Sequence, residues 1–494
     1  MLNIKPKLLY LLIFVVIIIN FSGVFLPSLN STFIPYYGSI AKHMLTANNW
    51  SDLILINQEW LDKPHLPFWM TVISFKLFGI NTFSYVLPGF IFHLLGAIYT
   101  YKIAQYFYDK QTALLSAFLY LTSFHLLTSS IDVRAEAYLL GSIIPACYYF
   151  LLYDSNYNNK YYIADKYKSQ NSSSQKSSLR YLLLGSIFTA CALMTKGPFV
   201  IINIFSGILI IFMIQKRLKE FLSFKWLIVI FVSLLFITPE IFALYHQFDS
   251  HPEKIIFEHQ NVSGIKWFFW DSQFGRFFNT GPIHNTNPSN WHYIYFIHVF
   301  LWSFLPWSLL FIIASYYNYT NFKHSKNNQN HQKNDLALYY LYASFFIPFI
   351  IFSITSFQVD HYINILFPFA SIIVARFLLL NTSSQTNLLK HQSFNISKLV
   401  YKLQIAIVIL IAFVLLLASI LLSNILQIKI LIIITVLVLL LLYKFINLEC
   451  LITRALTLSM SAILSIFFVF NLILLNLFVN FIWIDIPLSN FTIS

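Results

Sequence analysis

Leu61-Asp62-Lys63-Pro64-His65-Leu66-Pro67-Phe68-Trp69 sets an acid beside a base, then two prolines, then an aromatic entry into an apolar stretch. Pro64 and Pro67 bias Lys63 and Leu66 toward extended backbone, so the spacing predicts a shaped loop rather than a helix. The stretch belongs to the first long polar segment of the chain, which lies between two very apolar ones. A loop at a membrane edge that holds Asp62 and Lys63 side by side suits an anionic group at the lipid–water boundary. The plainer alternative is an anchor, with Lys63 snorkelling and Trp69 in the aromatic belt.

Composition decides what surrounds this loop. Of 494 residues, 58% are hydrophobic and 10% are charged, and the mean hydropathy is +0.70. A soluble domain of this length does not carry so much apolar surface, so the chain reads as an all-α polytopic membrane protein. The formal charge of +13 would suit nucleic acid. The basic residues lie between the apolar runs, however, so topology accounts for them and no nucleic-acid partner is expected. Cys147, Cys191 and Cys450 stand in or beside apolar runs without metal spacing, which implies no disulfide framework. The first run, from Leu8, follows Lys5 and Lys7 and lacks a small-residue cleavage site, so it reads as an uncleaved span.

Apolar runs near the ~20 residues that a bilayer requires number about thirteen. They cover 8–28, 84–107, 112–131, 137–153, 180–195, 198–214, 226–247, 293–317, 336–355, 362–380, 400–422, 427–446 and 456–478. The apolar piece 67–79 is too short and reads as interfacial or re-entrant. Alternating the runs from a cytoplasmic amino terminus puts more than two thirds of the 31 Lys and Arg inside and two thirds of the 18 Asp and Glu outside. That asymmetry predicts an outer carboxyl terminus, with the polar loops 29–83 and 248–292 on the outer face. Residues 1–380 then form the module that carries the motifs. Residues 381–494 are carboxyl-terminal transmembrane helices, nearly pure Leu, Ile, Val and Phe from about Leu399. The Asn/Ser/Gln-rich inner loop 160–180 reads as a linker. No run is read as having an ionisable residue at its midpoint, where a transporter's coupling site lies.

The informative residues recur at the short outer connections. Asp132, Arg134 and Glu136 fall within five residues, and Arg134 and Glu136 could pair with each other. Met194-Thr195-Lys196-Gly197-Pro198 holds a lysine in a tight turn, where it either snorkels or meets an anion. The aromatic stretch Trp267 to Phe278 around Arg276 is either an interfacial helix or a platform for a lipid-linked ligand. Leu305-Pro306-Trp307 predicts a kink. His361, in Asp360-His361-Tyr362, could act as a ligand or acid/base, or be an interfacial histidine that is only hydrogen-bonded.

In this order and spacing, over residues 8–380, the motifs resemble the GT-C membrane glycosyltransferases that use a polyprenyl-phosphate-linked sugar. The lipid A aminoarabinose transferases and the protein O-mannosyltransferase-like proteins are the most similar of these. The resemblance rests on Tyr37 through Met44-Leu45 and Trp50, Asp62-Lys63-Pro64 and Trp69, and Arg134-Ala135-Glu136-Ala137. It continues through Met194-Thr195-Lys196-Gly197, Phe274-Gly275-Arg276-Phe277, Pro306-Trp307 and His361-Tyr362. It implies a GT-C fold in the bacterial cytoplasmic (inner) membrane, with outer-face interfacial helices in the first and fourth outer loops. It implies an inverting transfer, on the outer (periplasmic) face, from a polyprenyl-phosphate-sugar donor to lipid A, another glycan or a protein. Cations gather on a leaving lipid phosphate. By resemblance these are Lys63, Arg276 and Lys196, with Tyr362 touching the phosphate. Asp62 matches an acid associated with metal or acceptor binding, so a divalent metal ion is an expected cofactor there. Glu136 or Asp62 would orient or deprotonate the acceptor hydroxyl. Arg134, His361 and Tyr37 are further site candidates.

Two positions depart from the family pattern. Phe33 and Ile34 stand where the family carries an Asp-Glu pair before its first-loop Tyr, and Gln273 stands where it carries a His. Asp52, Glu59, Asp62 and Glu136 are then the carboxylates that could supply the acid. The rival readings are a transporter or flippase of a lipid-linked or anionic solute, and a catalytically silent lipid-binding homologue. Polar groups gathered at one face favour surface chemistry over transit.

Overall fold

The computed structural model describes residues 6–25, 33–130, 135–157, 175–284, 292–324, 332–380, 399, 401–410 and 413. Among them the chain is helical apart from connections and one antiparallel hairpin, Ile54–Leu55 paired with Gln58–Glu59.

Local chemistry sets several helix starts. Asn81 and Ser84 cap each other at the head of the Thr82–Phe107 helix, with Asn81 Oδ1 accepting from Ser84 N at 2.9 Å and Ser84 Oγ from Asn81 N at 3.1 Å. Its 26 residues reach about 39 Å at ~1.5 Å per residue, enough for a bilayer core. Asp109 caps the Lys110–Leu121 helix through Thr112. The Ala135–Tyr157 helix is the buried centre of the bundle and packs on Thr82–Phe107, Gln175–Lys196 and Val200–Ile214. At the first of these crossings a Cβ on Gly141 would come within 2.7 Å of Phe92 Cα, so the two backbones touch.

By length and composition five described helices could cross a membrane: Thr82–Phe107, Ala135–Asn156, Ser178–Lys196, Leu336–Ile354 and Asp360–Leu380. Two bent pairs raise this to seven if each is a single crossing. Phe224–Phe236 and Thr238–Asp249 meet at 45°, where Pro239 opens the second helix. Tyr293–Ser303 and Ser308–Thr320 meet at 111°, so the kink expected at Leu305-Pro306-Trp307 is a sharp fold-back. The expected span 112–131 is two helices, Lys110–Leu121 and Phe124–Ser129. At the break the Thr122 and Ser123 hydroxyls return to the Phe118 and Leu119 carbonyls at 2.7 and 2.8 Å. The Phe124 N–H turns away to Leu305 O at 2.9 Å, so a tertiary bond replaces the next turn of helix. Runs 8–28 and 198–214 correspond to shorter helices, Pro6–Ser22 and Val200–Ile214. Of the last three expected spans, 401–410 is described as helix, while 427–446 and 456–478 lie outside the described residues.

Two polar segments fold over the end of the bundle where Ala135–Tyr157 begins and Gln175–Lys196 ends. The first holds the Phe33–Thr46 helix, the hairpin, the bend at 60–65 and the Leu66–Phe78 helix. That last helix has 13 residues, about 20 Å, too short to cross a bilayer. It differs from the expected loop in starting at Leu66, with Pro67 in the first turn where a missing N–H is no loss. The hairpin has no clear sequence signal; its turn places Ile56 and Asn57 at φ 50° and 60°. The second segment ends in a helical arm over Gly264–Phe278. Gln247 stitches the two together, its amide donating to and accepting from the Leu53 backbone, both at 2.9 Å.

Candidate active site

The loop that carries Asp62 and Lys63 is pinned from below. His65 and Glu240 are fully buried, with His65 Nδ1 2.9 Å from Glu240 Oε1 and the His65 main-chain N–H donating to Oε2 at 3.0 Å. His65 Nε2 lies 2.9 Å from the Ser51 carbonyl oxygen, and the Trp69 indole donates to Trp50 O at 2.7 Å. Burial works against a charged ring, but Glu240 beside it raises the His65 imidazolium above its ordinary range. With the bend held there, Asp62 and Lys63 face the helical arm.

Lys63 Nζ lies 3.1 Å from Asp62 Oδ2, and Arg276 bonds both the Asp62 carboxylate and its carbonyl oxygen, the latter at 3.3 Å. Burial alone would raise the Asp62 carboxyl; Lys63 and Arg276 hold it below its usual value. Burial first, and then the Arg276 charge, push the Lys63 ammonium down to about 8. A second pair stands beside the first. Lys196 Nζ is 2.7 Å from Glu136 Oε1 and 3.7 Å from the Tyr362 ring centroid. His361 Nε2 is 3.6 Å from the same Glu136 oxygen. Three cations, Lys63, Arg276 and Lys196, therefore share two carboxylates, Asp62 and Glu136.

Among the described residues, two buried polar atoms here have no hydrogen-bond partner: Arg276 Nε, a donor, and Glu136 Oε2, an acceptor. Buried polar groups are ordinarily paired by protein, water or ligand. The same Lys196, Arg276 and Tyr362 line a narrow cleft whose other walls include Phe199, Val200, Phe277, Pro348, Ile351 and Phe352. Positive groups in an otherwise apolar cleft suit an anionic headgroup on an apolar chain.

The expected site residues come together in part. Lys63, Arg276, Lys196, Tyr362, Asp62, Glu136 and His361 form one cluster, although Asp62 and Arg276 are 214 residues apart in the chain. Lys196 meets the Glu136 carboxylate. Tyr37 packs edge-on against Trp60 and Phe68, with centroids at 5.9 and 5.2 Å, and acts on Arg276 electrostatically. Arg134 lies outside the described residues, so its pairing with Glu136 does too. Phe33 and Ile34 open the Phe33–Thr46 helix. Glu59 is engaged by Lys254 at 2.8 Å and Gln247 at 2.7 Å, within the stitching of the loops. Asp52 faces His246 at 3.7 Å. Gln273 donates to Lys196 O at 3.2 Å and supports the Lys196-Gly197 turn. Gly197 sits at φ 87° with the Gln273 amide where a Cβ would go, so glycine is required twice over.

In this structure Lys63 and Arg276 take up the oxygens of Asp62, the expected ligand of a divalent ion. Among the described residues no group of three His, Cys, Asp or Glu is placed to hold a metal. The residue missed in the sequence is Glu240, an acid inside the apolar run 226–247. His93, inside the run 84–107, is likewise buried, stacked on Tyr120 with centroids 5.1 Å apart. The expectation that the runs lack central ionisable groups therefore fails at both. The signal for Glu240 was legible, as a lone carboxylate after Thr238-Pro239 in a hydrophobic stretch.

Comparison with known proteins gives matches of sequence and of fold. Residues 62–165 match a family model described as dolichyl-phosphate-mannose-protein mannosyltransferase. The chain is 27% identical over 276 residues to an undecaprenyl phosphate-alpha-4-amino-4-deoxy-L-arabinose arabinosyl transferase of Shewanella sediminis, covering 56% of this chain and 44% of that protein. It is 26% identical over 275 residues to the protein of that name in Erwinia tasmaniensis, covering 55% and 43%. The chain thus spans less than half the length of these relatives. In fold it is similar to the crystal structure of ArnT from Cupriavidus metallidurans bound to undecaprenyl phosphate, with a TM-score of 0.68 at 15% identity, covering 95% of this chain and 77% of that one. The apo form of the same protein matches with a TM-score of 0.66. The fold is thus similar to that of the ArnT structure, and the resemblance read from the motifs stands.

Proposed function

We propose that this protein transfers a sugar from a polyprenyl-phosphate-linked donor to lipid A, another glycan or a protein on the outer face of the bacterial cytoplasmic membrane. The observation that carries the reading is the pair of partnerless atoms in one buried site: a guanidinium N–H without an acceptor, and a carboxylate oxygen without a donor. A leaving phosphate supplies the first and an acceptor hydroxyl the second.

Lys63 and Arg276 exchange the Asp62 carboxylate for the donor phosphate, with Tyr362 beside it, and the apolar cleft takes the polyprenyl chain. Lys196 holds the other Glu136 oxygen, Oε1. The acceptor oxygen attacks the anomeric carbon opposite the phosphate, the bond to phosphate breaks with its electron pair leaving on the phosphate, and the hydroxyl proton passes to Glu136 Oε2. This displacement inverts the anomeric centre. Three cations stabilise the leaving charge; a divalent ion would be held by Asp62 once the donor phosphate has drawn off its cations. Residues 1–380 form the catalytic module and 381–494 complete about thirteen spans, with the amino terminus cytoplasmic.

Mass spectrometry of lipid A and other envelope glycoconjugates, from cells with and without the gene, tests the reading. Loss of one sugar mass, restored by wild type but not by Glu136→Gln, is expected. Unchanged glycans would move the assignment to a flippase or a silent lipid-binding homologue.

A further inference from the structure

Behind Glu136 stands a row of side chains that the transfer itself does not use. His361 Nδ1 lies 3.1 Å from Asp360 Oδ1, and the His361 main-chain N–H donates to the same oxygen at 2.8 Å. With Nδ1 on that carboxylate, it is the other ring nitrogen, Nε2, that faces Glu136 Oε1 at 3.6 Å. An Asp that orients a His, which in turn faces the reacting group, is the logic of a nucleophile–base–orienter array, here with a carboxylate in first place. A gap of 3.6 Å exceeds a hydrogen bond, but such contacts shorten once substrate fills the site.

The row also leads outward. The Glu136 side chain is 3% exposed, His361 14% and Asp360 39%. The second Asp360 oxygen faces His125 Nε2 at 3.8 Å, and His125 Nδ1 is tied to Asn364 Oδ1 at 2.8 Å. Among the described residues, the charged and titratable groups around His361 include Glu136, Lys196 behind it, Asp360, His125 across from Asp360, and the Tyr362 ring at 5.4 Å.

We propose that His361, held by Asp360, is the outlet for the proton that Glu136 removes from the acceptor. The inference rests on the proposed transfer, with Glu136 as its base. Lys196 holds Oε1 at 2.7 Å, which leaves Oε2 to the acceptor. After transfer the neutral Glu136 carboxyl, released from the Lys196 charge, turns its O–H to His361 Nε2 and gives up the proton, the Nδ1 proton is shared with Asp360, and one proton leaves to water from the exposed side. Glu136 is thereby returned as a carboxylate, and no oxidant or co-reactant is needed.

The test uses the full-length protein in lipid nanodiscs, with undecaprenyl phosphate-linked 4-amino-4-deoxy-L-arabinose as donor and purified lipid A as acceptor. Undecaprenyl phosphate binding is measured alongside. His361→Asn is expected to lower kcat about 10- to 100-fold, a part of the usual general-base contribution of ~10²–10⁴, with KM and the undecaprenyl phosphate Kd changed by less than about twofold. Asp360→Asn should lower kcat about 10-fold, and Asp360→Glu should restore most of it. An unchanged kcat in His361→Asn overturns the inference alone. Loss of undecaprenyl phosphate binding together with kcat in that variant also overturns it, since the role would then be structural. If wild type binds undecaprenyl phosphate but transfers nothing, the proposed transfer fails with this pair and the inference falls with it.

Discussion

Asp62 is shared by two of the three cations, which in the proposed mechanism makes it a placeholder for the donor phosphate. Removing a cation from a preorganised anion site typically costs ~10²–10³ in rate. Lys63→Ala and Arg276→Ala are therefore each expected to lower kcat/KM for the lipid-linked donor about 100-fold, while Lys166→Ala leaves it unchanged; equal tolerance at all three positions would remove the site assignment. The pH dependence follows from Lys63. Its ammonium, pushed down to about 8, is charged below that pH and neutral above it. Donor binding that uses the charge should thus fall as pH rises through about 8, seen as an alkaline limb in kcat/KM. Lys63→Arg, which keeps its charge, should shift that limb upward and out of the range.

The bend at 60–65 keeps its shape because of what lies beneath it. His65 and Glu240 are both fully buried, and breaking a buried ion pair from one side costs about 3–5 kcal/mol. His65→Ala is expected to lower thermal stability by that order, and Glu240→Gln by less, because an amide can still accept from His65. The sign with pH is set by the raised imidazolium. Its contribution is complete below the unfolded histidine value and is lost as pH rises through the folded one. Melting temperature should therefore decline toward alkaline pH in wild type, and the decline should be weaker in His65→Ala. At the neighbouring turn, Gly197→Ala meets both a positive φ and the Gln273 amide. Its expected effect is displacement of Lys196 from Glu136, read as a loss of kcat larger than any loss of fold.

Across the whole molecule, the site occupies the end of the bundle covered by the two polar segments. A second charge network, Asp154 with Arg217 at 3.0 Å and with Lys225 at 3.1 Å, lies at the other end of the Ala135–Tyr157 helix. The proposed topology puts the first end outside. Asn279→Cys, in a background with Cys147, Cys191 and Cys450 replaced by Ser, should react with a membrane-impermeant maleimide on intact spheroplasts, whereas Gln215→Cys should react only after permeabilisation. The reverse pattern would place the site in the cytoplasm. The sequence by itself determined the apolar, helical class, many of the helices and the residues that gather in the candidate site. Apolar runs, capping pairs such as Asn81 with Ser84, and charge between runs are local properties that add along the chain. Only the tertiary structure decided that 112–131 is broken, that 293–317 folds back, and that Lys196 belongs to Glu136. Each of these depends on a partner far away in sequence: Leu305 takes the Phe124 N–H, Thr122 takes the Trp307 indole, and Arg276 reaches Asp62 across 214 residues. Periodicity carries no information about such partners, because burial and pairing are settled by which surfaces meet after the helices have packed.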